Sequence, residues 1–358
     1  MLKLQAHNWI GKPWLEGLGI LAVPFLCCAV LLFLPEGFIH NDVFPGSLWL
    51  FLIVFIDVGH VYSTVYRTYA DKETVSKHKR LFLGLPLLLL VVSVLLHSIS
   101  GLLFWRCLAY LAVYHFIRQQ YGFLKIYSRK EADSTIRRRI AAITIYAVTI
   151  LPMLYWHVSP GRNFNWFIPD DFITGAGHPL LPVLIKAAFW LVLALYAISE
   201  MIVSIRTKAI NVQKNLVITG TALSWYLGIV HYNSDLVFTF LNVLCHGIPY
   251  MTLVWIHGKK LHAQKGAFLR IIYGRFTLLL FLAPLFFIAY VEEGFWDALV
   301  WKEHGDVFSV FAGISFSLPK QALNIIVPLL ALPQLFHYVI DGLIWRIRKD
   351  SFNWTKIL

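Results

Sequence analysis

Ten stretches of this chain are apolar for about twenty residues at a time, and that pattern constrains the fold more than any other feature. A hydrocarbon core of ~30 Å is crossed by about 20 residues of helix. Inside it every backbone N–H and C=O needs an internal partner, which a helix supplies. The stretches are 17–35, 47–65, 81–98, 101–124, 140–157, 180–205, 215–232, 236–257, 272–291 and 321–345. The composition agrees: only 14% of the 358 residues are charged, against roughly a quarter in soluble domains. That is too little charge to coat a water-facing surface, which excludes a soluble enzyme, a disordered chain and a nucleic-acid-binding domain. The sequence therefore predicts an all-α fold: a polytopic transmembrane helical bundle of about ten spans. It reads as one integral-membrane domain, with an interfacial lead-in over 1–16, the bundle over 17–345 and a basic tail over 346–358.

The basic residues set the orientation, because cytoplasmic loops carry the Lys/Arg excess. With ten spans, 25 of the 31 Lys and Arg fall on one side. They include Arg67, Lys72 and Lys77–Arg80 after the second span, Lys125–Arg139 after the fourth, Arg206–Lys214 after the sixth, Lys259–Arg275 after the eighth, and the tail. Only Arg162, Lys302 and Lys320 fall on the other side. Both termini are expected in the cytoplasm, in an inner membrane of bacterial type, and the net charge of +12 becomes a topology signal with some attraction to anionic lipid. The first 16 residues do not read as a cleavable signal. Cys27, Cys28, Cys107 and Cys245 sit in apolar runs and read as small buried hydrophobes.

Ionisable groups inside spans are costly and mark function by default. At ~1.5 Å per residue, His60, His115 and His337 all come out about 20–22 Å from the outer boundary, and His246 about one turn away. Four helices thus contribute one histidine each to a layer on the cytoplasmic side of the midplane. Three have a polar companion three or four residues along, on the same helix face: Asp57 with His60, Gln119 with His115, and Asp341 with His337. Metal-bound imidazoles usually donate their second N–H to a carboxylate or carbonyl, so such pairs suit a metal site. A lone histidine in a span more often bonds a neighbouring helix; four at one depth favour a shared ion. His231 and Asp235 make a further His-x3-Asp pair. A straight helix leaves them near the outer boundary, and a kinked one would bring them to the layer. Arg67 sits just below the layer, where it either snorkels or pairs with Asp57 or Asp341. Tyr338 adjoins His337.

Imidazole ligands suit iron, zinc and copper. The candidate metal ligands are His60, His115, His246, His337, His231, Asp57 and Asp341, with Asp57 and Asp341 also the candidate catalytic carboxylates, and with Gln119, Asp235, Tyr338 and Arg67 supporting them. No His-Glu-x-x-His, phosphate-binding glycine loop or Gly-x-Ser-x-Gly occurs, nor do the clustered histidine boxes of membrane desaturases.

Asp57-Val-Gly-His60, His115-Phe-Ile-Arg-Gln-Gln-Tyr-Gly122, His246-Gly-Ile-Pro-Tyr250 and His337-Tyr-Val-Ile-Asp341 resemble, in arrangement, the Brp/Blh-type membrane β-carotene 15,15′-dioxygenases. The likeness covers about a tenth of the chain. It implies an iron centre held by His60, His115, His246 and His337, and oxidative cleavage of a polyene; the extra Asp57, Gln119, Asp341 and His231/Asp235 depart from a four-histidine pattern. The expected function is a membrane-embedded non-haem iron oxygenase, with one or two iron ions, acting on a carotenoid, isoprenoid or fatty acyl chain. Its partners would be that lipophilic small molecule, O2, membrane lipid and a redox partner of unspecified kind. A zinc-dependent lipid hydrolase, a transporter with a histidine/aspartate relay, and a haem protein remain as alternatives.

Overall fold

The computed structural model describes residues 3–4, 8–39, 45–131, 135–175, 177–261, 266–274, 277–346, 352 and 354. It is 80% helical. In chain order the main helices are α1 (Val23–Phe33), α2 (Gly46–Arg67), α3 (Lys79–Ile99), α4 (Gly101–Tyr127), α5 (Thr135–Val158), α6 (Leu180–Thr207), α7 (Val212–Trp225, continued by a π-helical turn Tyr226–His231), α8 (Asp235–Leu261), α9 (Leu278–Trp301) and α10 (Lys320–Ile344). Strand among the described residues is limited to a parallel pair, β1 (Lys3–Leu4) with β2 (Ala209–Ile210).

The apolar stretches are helical over most of their described residues; within 272–291 the chain leaves helix at Tyr273 and Gly274, and helix is described again from Thr277. Seven helices (α2, α3, α5, α6, α8, α9 and α10) are long and apolar enough to cross a membrane. An eighth span is reached if Pro13–Leu21 and α1, bent by 52°, count as one. α4 and α7 are more polar, the first through Arg106, Arg118 and Lys125, the second through Lys214, Asn215, Thr219 and Thr221. Lys265, Arg275, Arg348, Lys349 and Lys356 of the expected basic side, and His7, His40 and His262, lie outside the described residues. Of the apolar windows, that of α8 is 83% buried while those of α3 and α6 are 11% buried. α3 and α6 thus keep their Leu, Ile and Val facing outward, as a lipid-facing helix must, and α8 is the enclosed one.

The chain groups into two compact units, residues 1–42 with 113–249 and residues 43–112 with 250–357. Their boundary cuts no loop at α4 or α8: it falls between Ala112 and Val113 and between Pro249 and Tyr250, inside unbroken helices.

In the first unit α1 packs on α7, and α5 packs on α6 and α7. A buried ion network ties three of these helices. Glu200 of α6 accepts two bonds from Arg137 of α5, at 2.9 and 2.7 Å, and one from Lys214 of α7 at 2.7 Å. Lys214 also reaches Glu131 at 2.9 Å. Asn211 caps α7, its side chain accepting from the Lys214 N–H at 3.0 Å. Each buried charge has opposite charges on it, which is how the cost of desolvation is offset.

In the second unit α9 packs on α2, and α10 packs on α2 and α3. Phe82, Phe336, Ile340 and Ile344 form one buried cluster, and Val54, Val58, Ala289 and Phe308 another. At two close approaches a side chain would meet a neighbouring ring, tightly at Gly59 and prohibitively at Gly258. A Cβ on Gly59 would lie 3.3 Å from the Phe286 ring, and one on Gly258 would lie 1.9 Å from Tyr273 Cζ. α2 is π-helical over Leu50–Val58 and returns to α-geometry at Gly59. Such a bulge inserts a residue into the helix and is frequent at functional sites; here it ends two residues before His60.

Candidate metal centre

His60 on α2, His115 on α4, His246 on α8 and His337 on α10 come together. Each offers a ring nitrogen, and those four atoms all lie within 4.8 Å of one another. All four side chains are buried. The His60 and His337 rings meet edge to face with centroids 5.0 Å apart, and the His115 and His246 rings do the same, also at 5.0 Å. The shared depth read from the sequence is therefore a shared place.

The hydrogen bonds on Nδ1 say which nitrogen each ring can offer. His60 Nδ1 faces the Ile56 carbonyl oxygen at 3.2 Å. A carbonyl only accepts, so Nδ1 carries the proton and Nε2 keeps its lone pair. His246 Nδ1 lies 2.9 Å from Gln119 Oε1, while Gln119 Nε2 donates to the His246 carbonyl at 3.1 Å. The amide oxygen is thus the end facing the ring, and it too requires an Nδ1–H.

His337 is held by a longer chain. Its Nδ1 lies 2.7 Å from Thr64 Oγ1, which lies 2.8 Å from Tyr250 Oη, and the Tyr250 hydroxyl donates to Asp341 Oδ1 at 2.7 Å. Because Tyr250 is the donor in its bond to Asp341 Oδ1, the proton count runs one way. Tyr250 gives its one proton to Asp341, so it accepts from Thr64; Thr64 has then used its proton, so it accepts from His337. Three of the four rings are thereby set as Nδ1–H tautomers, the arrangement in which a metal-bound histidine is oriented by the bond its other nitrogen makes. The donor set that remains is Nε2, which a first-row transition metal accepts.

The carboxylates stand beside this set. Asp57 Oδ1 lies 3.8 Å from His60 Nδ1, and Asp341 Oδ1 lies 3.8 Å from His337 Nδ1. The spacing in sequence put both next to the right histidine; in the fold, Ile56 and Thr64 take the short bonds. Gln119 was expected on His115, one turn away on α4, and is found on His246. Its side chain is long enough to cross to the neighbouring helix, where a main-chain carbonyl gives it a second bond. His231 is not in the set. It closes the π-helical turn after α7 with its side chain exposed, and Asp235 accepts from Thr239 at 3.5 Å. Arg67 is buried, donates to the carbonyls of Ile344 and Phe352 at 3.2 and 3.0 Å, and lies 5.0 Å from the Trp345 ring centre. Tyr338 is buried beside His337.

Four residues join the site that sequence reasoning had not placed there. Thr64 and Tyr250 each follow a ligand histidine by four residues, which is the signal that could have found them. Phe116 stacks flat on His246 at 3.5 Å, and Trp166 meets Phe116 edge-on at 5.0 Å. Trp166 comes from the segment after α5. Asp171 holds that segment by accepting from the N–H groups of Trp166, Phe167 and Ile168 at 2.9, 2.6 and 3.3 Å. Burial pushes the Asp171 carboxyl up, with these bonds opposing. Glu292 and Glu293 also lie inside α9, beyond the predicted end of that span, and Glu292 accepts from Tyr62 at 2.5 Å.

No family model, curated protein or solved structure matches this chain.

Proposed function

We propose that the protein is a membrane-embedded non-haem iron oxygenase acting on a lipophilic substrate, with iron held by Nε2 of His60, His115, His246 and His337. The observation that carries this reading is the cluster itself: four buried imidazoles from four helices with donor atoms within 4.8 Å of one another. The count of ligands favours iron. Four protein nitrogens close a tetrahedral zinc site, whereas catalytic zinc keeps a position open. An octahedral ion with the same four keeps two positions free. Iron bound there would supply O2 activation. The chain's own part is to hold the four rings, to fix their tautomers through Ile56, Gln119 and Thr64, and to surround the site with Phe116 and Tyr250 so that water is excluded.

The apolar faces of α3 and α6 favour a substrate that arrives from the bilayer: a polyene, isoprenoid or acyl chain. The same reading takes all ten helices as spans with both ends on the basic, cytoplasmic side. Elemental analysis with an electronic spectrum of purified protein tests the proposal. Stoichiometric iron, O2 consumption with a lipid-soluble polyene, and loss of both in His60→Ala and His337→Ala are expected. Zinc in place of iron, or metal content unchanged by those substitutions, would overturn it.

A further inference from the structure

Tyr250 occupies a position that suits more than holding the His337 tautomer and excluding water. Its ring is buried and meets His337 edge-on with centroids 4.9 Å apart, and it meets His60 at 5.8 Å. Its hydroxyl proton already points at Asp341 Oδ1, 2.7 Å away. On its other side the ring meets Trp345 with centroids 6.1 Å apart. Trp345 is half-buried, is followed by the exposed Arg346, and packs edge-on against Trp354 at 4.7 Å. One phenol and one indole thus bridge the space between a candidate ligand and the surface.

A buried phenol gives up an electron readily only if its proton has a base to go to, because a phenol radical cation is strongly acidic and a charge stranded in a low-dielectric interior is costly. Asp341 is that base. A positive charge on the indole is opposed: the Arg67 guanidinium lies 5.0 Å from the Trp345 ring centre, and like charges at that distance repel. An oxidising equivalent therefore rests on Tyr250 and passes through Trp345 only in transit.

We propose that Tyr250 and Trp345 form an electron relay between the histidine cluster and the protein surface. The relay rests on the iron reading for its biological role. Were an oxidised metal bound at the histidines, Tyr250 would give up one electron to it; the O–H bond would break, its proton would move to Asp341 Oδ1, and a neutral phenoxyl would remain. A one-electron reductant at the surface then donates through Trp345, the phenoxyl gains that electron, and the proton returns from Asp341. The net step moves one electron from reductant to metal and leaves every side chain as it began.

The test needs no metal. Metal-free protein in detergent is oxidised by a photogenerated ruthenium(III) polypyridyl complex, and the radical is read by electron paramagnetic resonance. A tyrosyl signal whose hyperfine pattern changes when a fluorotyrosine replaces Tyr250 is expected, as is its loss in Tyr250→Phe. Slower formation is expected in Trp345→Phe, and slower formation with faster decay in Asp341→Asn. A signal unaltered by the fluorotyrosine, or formed at the parent rate in both Trp345→Phe and Asp341→Asn, would overturn the relay. The label leaves the hydroxyl in place, so the result stands even where Tyr250→Phe folds poorly. Iron uptake is measured on the same preparation: iron refused with the Tyr250 signal intact counts against the oxygenase reading alone.

Discussion

Thr64→Val separates a histidine that is positioned from one that is merely present. Valine keeps the shape of threonine and removes both hydroxyl bonds, at 2.7 Å to His337 and 2.8 Å to Tyr250. Tyr250 keeps its donation to Asp341, so the loss falls on His337, whose Nδ1–H is stranded in a site where neither residue is more than 2% exposed. A buried donor left without its partner costs about 1–3 kcal/mol. The ring can recover part of that by turning or by moving its proton to Nε2, and either change takes the lone pair away from the other three. Outer partners of metal-bound histidines are typically worth about 10–100-fold in affinity, or about 1.4–2.8 kcal/mol. Competition titration of iron(II) or cobalt(II) against a coloured chelator in detergent would measure it. A loss of that size is expected in Thr64→Val, with recovery in Thr64→Ser. Parent affinity in Thr64→Val, alongside loss in His337→Ala, would refute the tautomer argument.

Other perturbations have equally definite outcomes. Alanine at His115 or His246 should abolish stoichiometric metal, while His231→Ala should retain it, as measured by elemental analysis; metal lost in His231→Ala would place that residue in the centre. Gln119→Leu should lower metal affinity and Gln119→Glu should preserve most of it, because glutamate still accepts from His246 Nδ1. Gly258→Ala drives a methyl to within 1.9 Å of Tyr273 Cζ and should destabilise by at least ~1–3 kcal/mol, the usual cost of overpacking; thermal unfolding would report it, and Tyr273→Ala should partly rescue. Glu200→Ala leaves Arg137 and Lys214 buried with one partner fewer, and breaking such a network typically costs about 3–5 kcal/mol; an unchanged unfolding temperature would show that the network bears little.

The histidine layer was legible because depth along a helix depends only on residue count. Counting from the ends of four apolar runs places His60, His115, His246 and His337 within about a turn of one another, with no knowledge of packing. Partners were less legible. Gln119 lies on the same helix face as His115 yet bonds His246, since the nearest acceptor for a long side chain was on another helix. Thr64 and Tyr250, both one turn from a ligand, passed as ordinary polar residues because only their meeting across helices gives them a role. The ends of spans were blurred for a different reason: Glu292 and Asp297 are carried inside α9 by bonds such as Tyr62 to Glu292, which no hydropathy window registers.

Run length and apolarity alone determine the helical membrane class, because a backbone in hydrocarbon has few ways to satisfy its polar groups. They also set how far along its helix each ionisable residue stands. The azimuth of each helix, and so which ring faces which, was decided only by tertiary packing. A helix that is apolar on every side carries no amphipathic stripe to say which face turns inward. Close contacts such as Gly59 on Phe286, and bonds such as Thr64 to His337, make that choice instead.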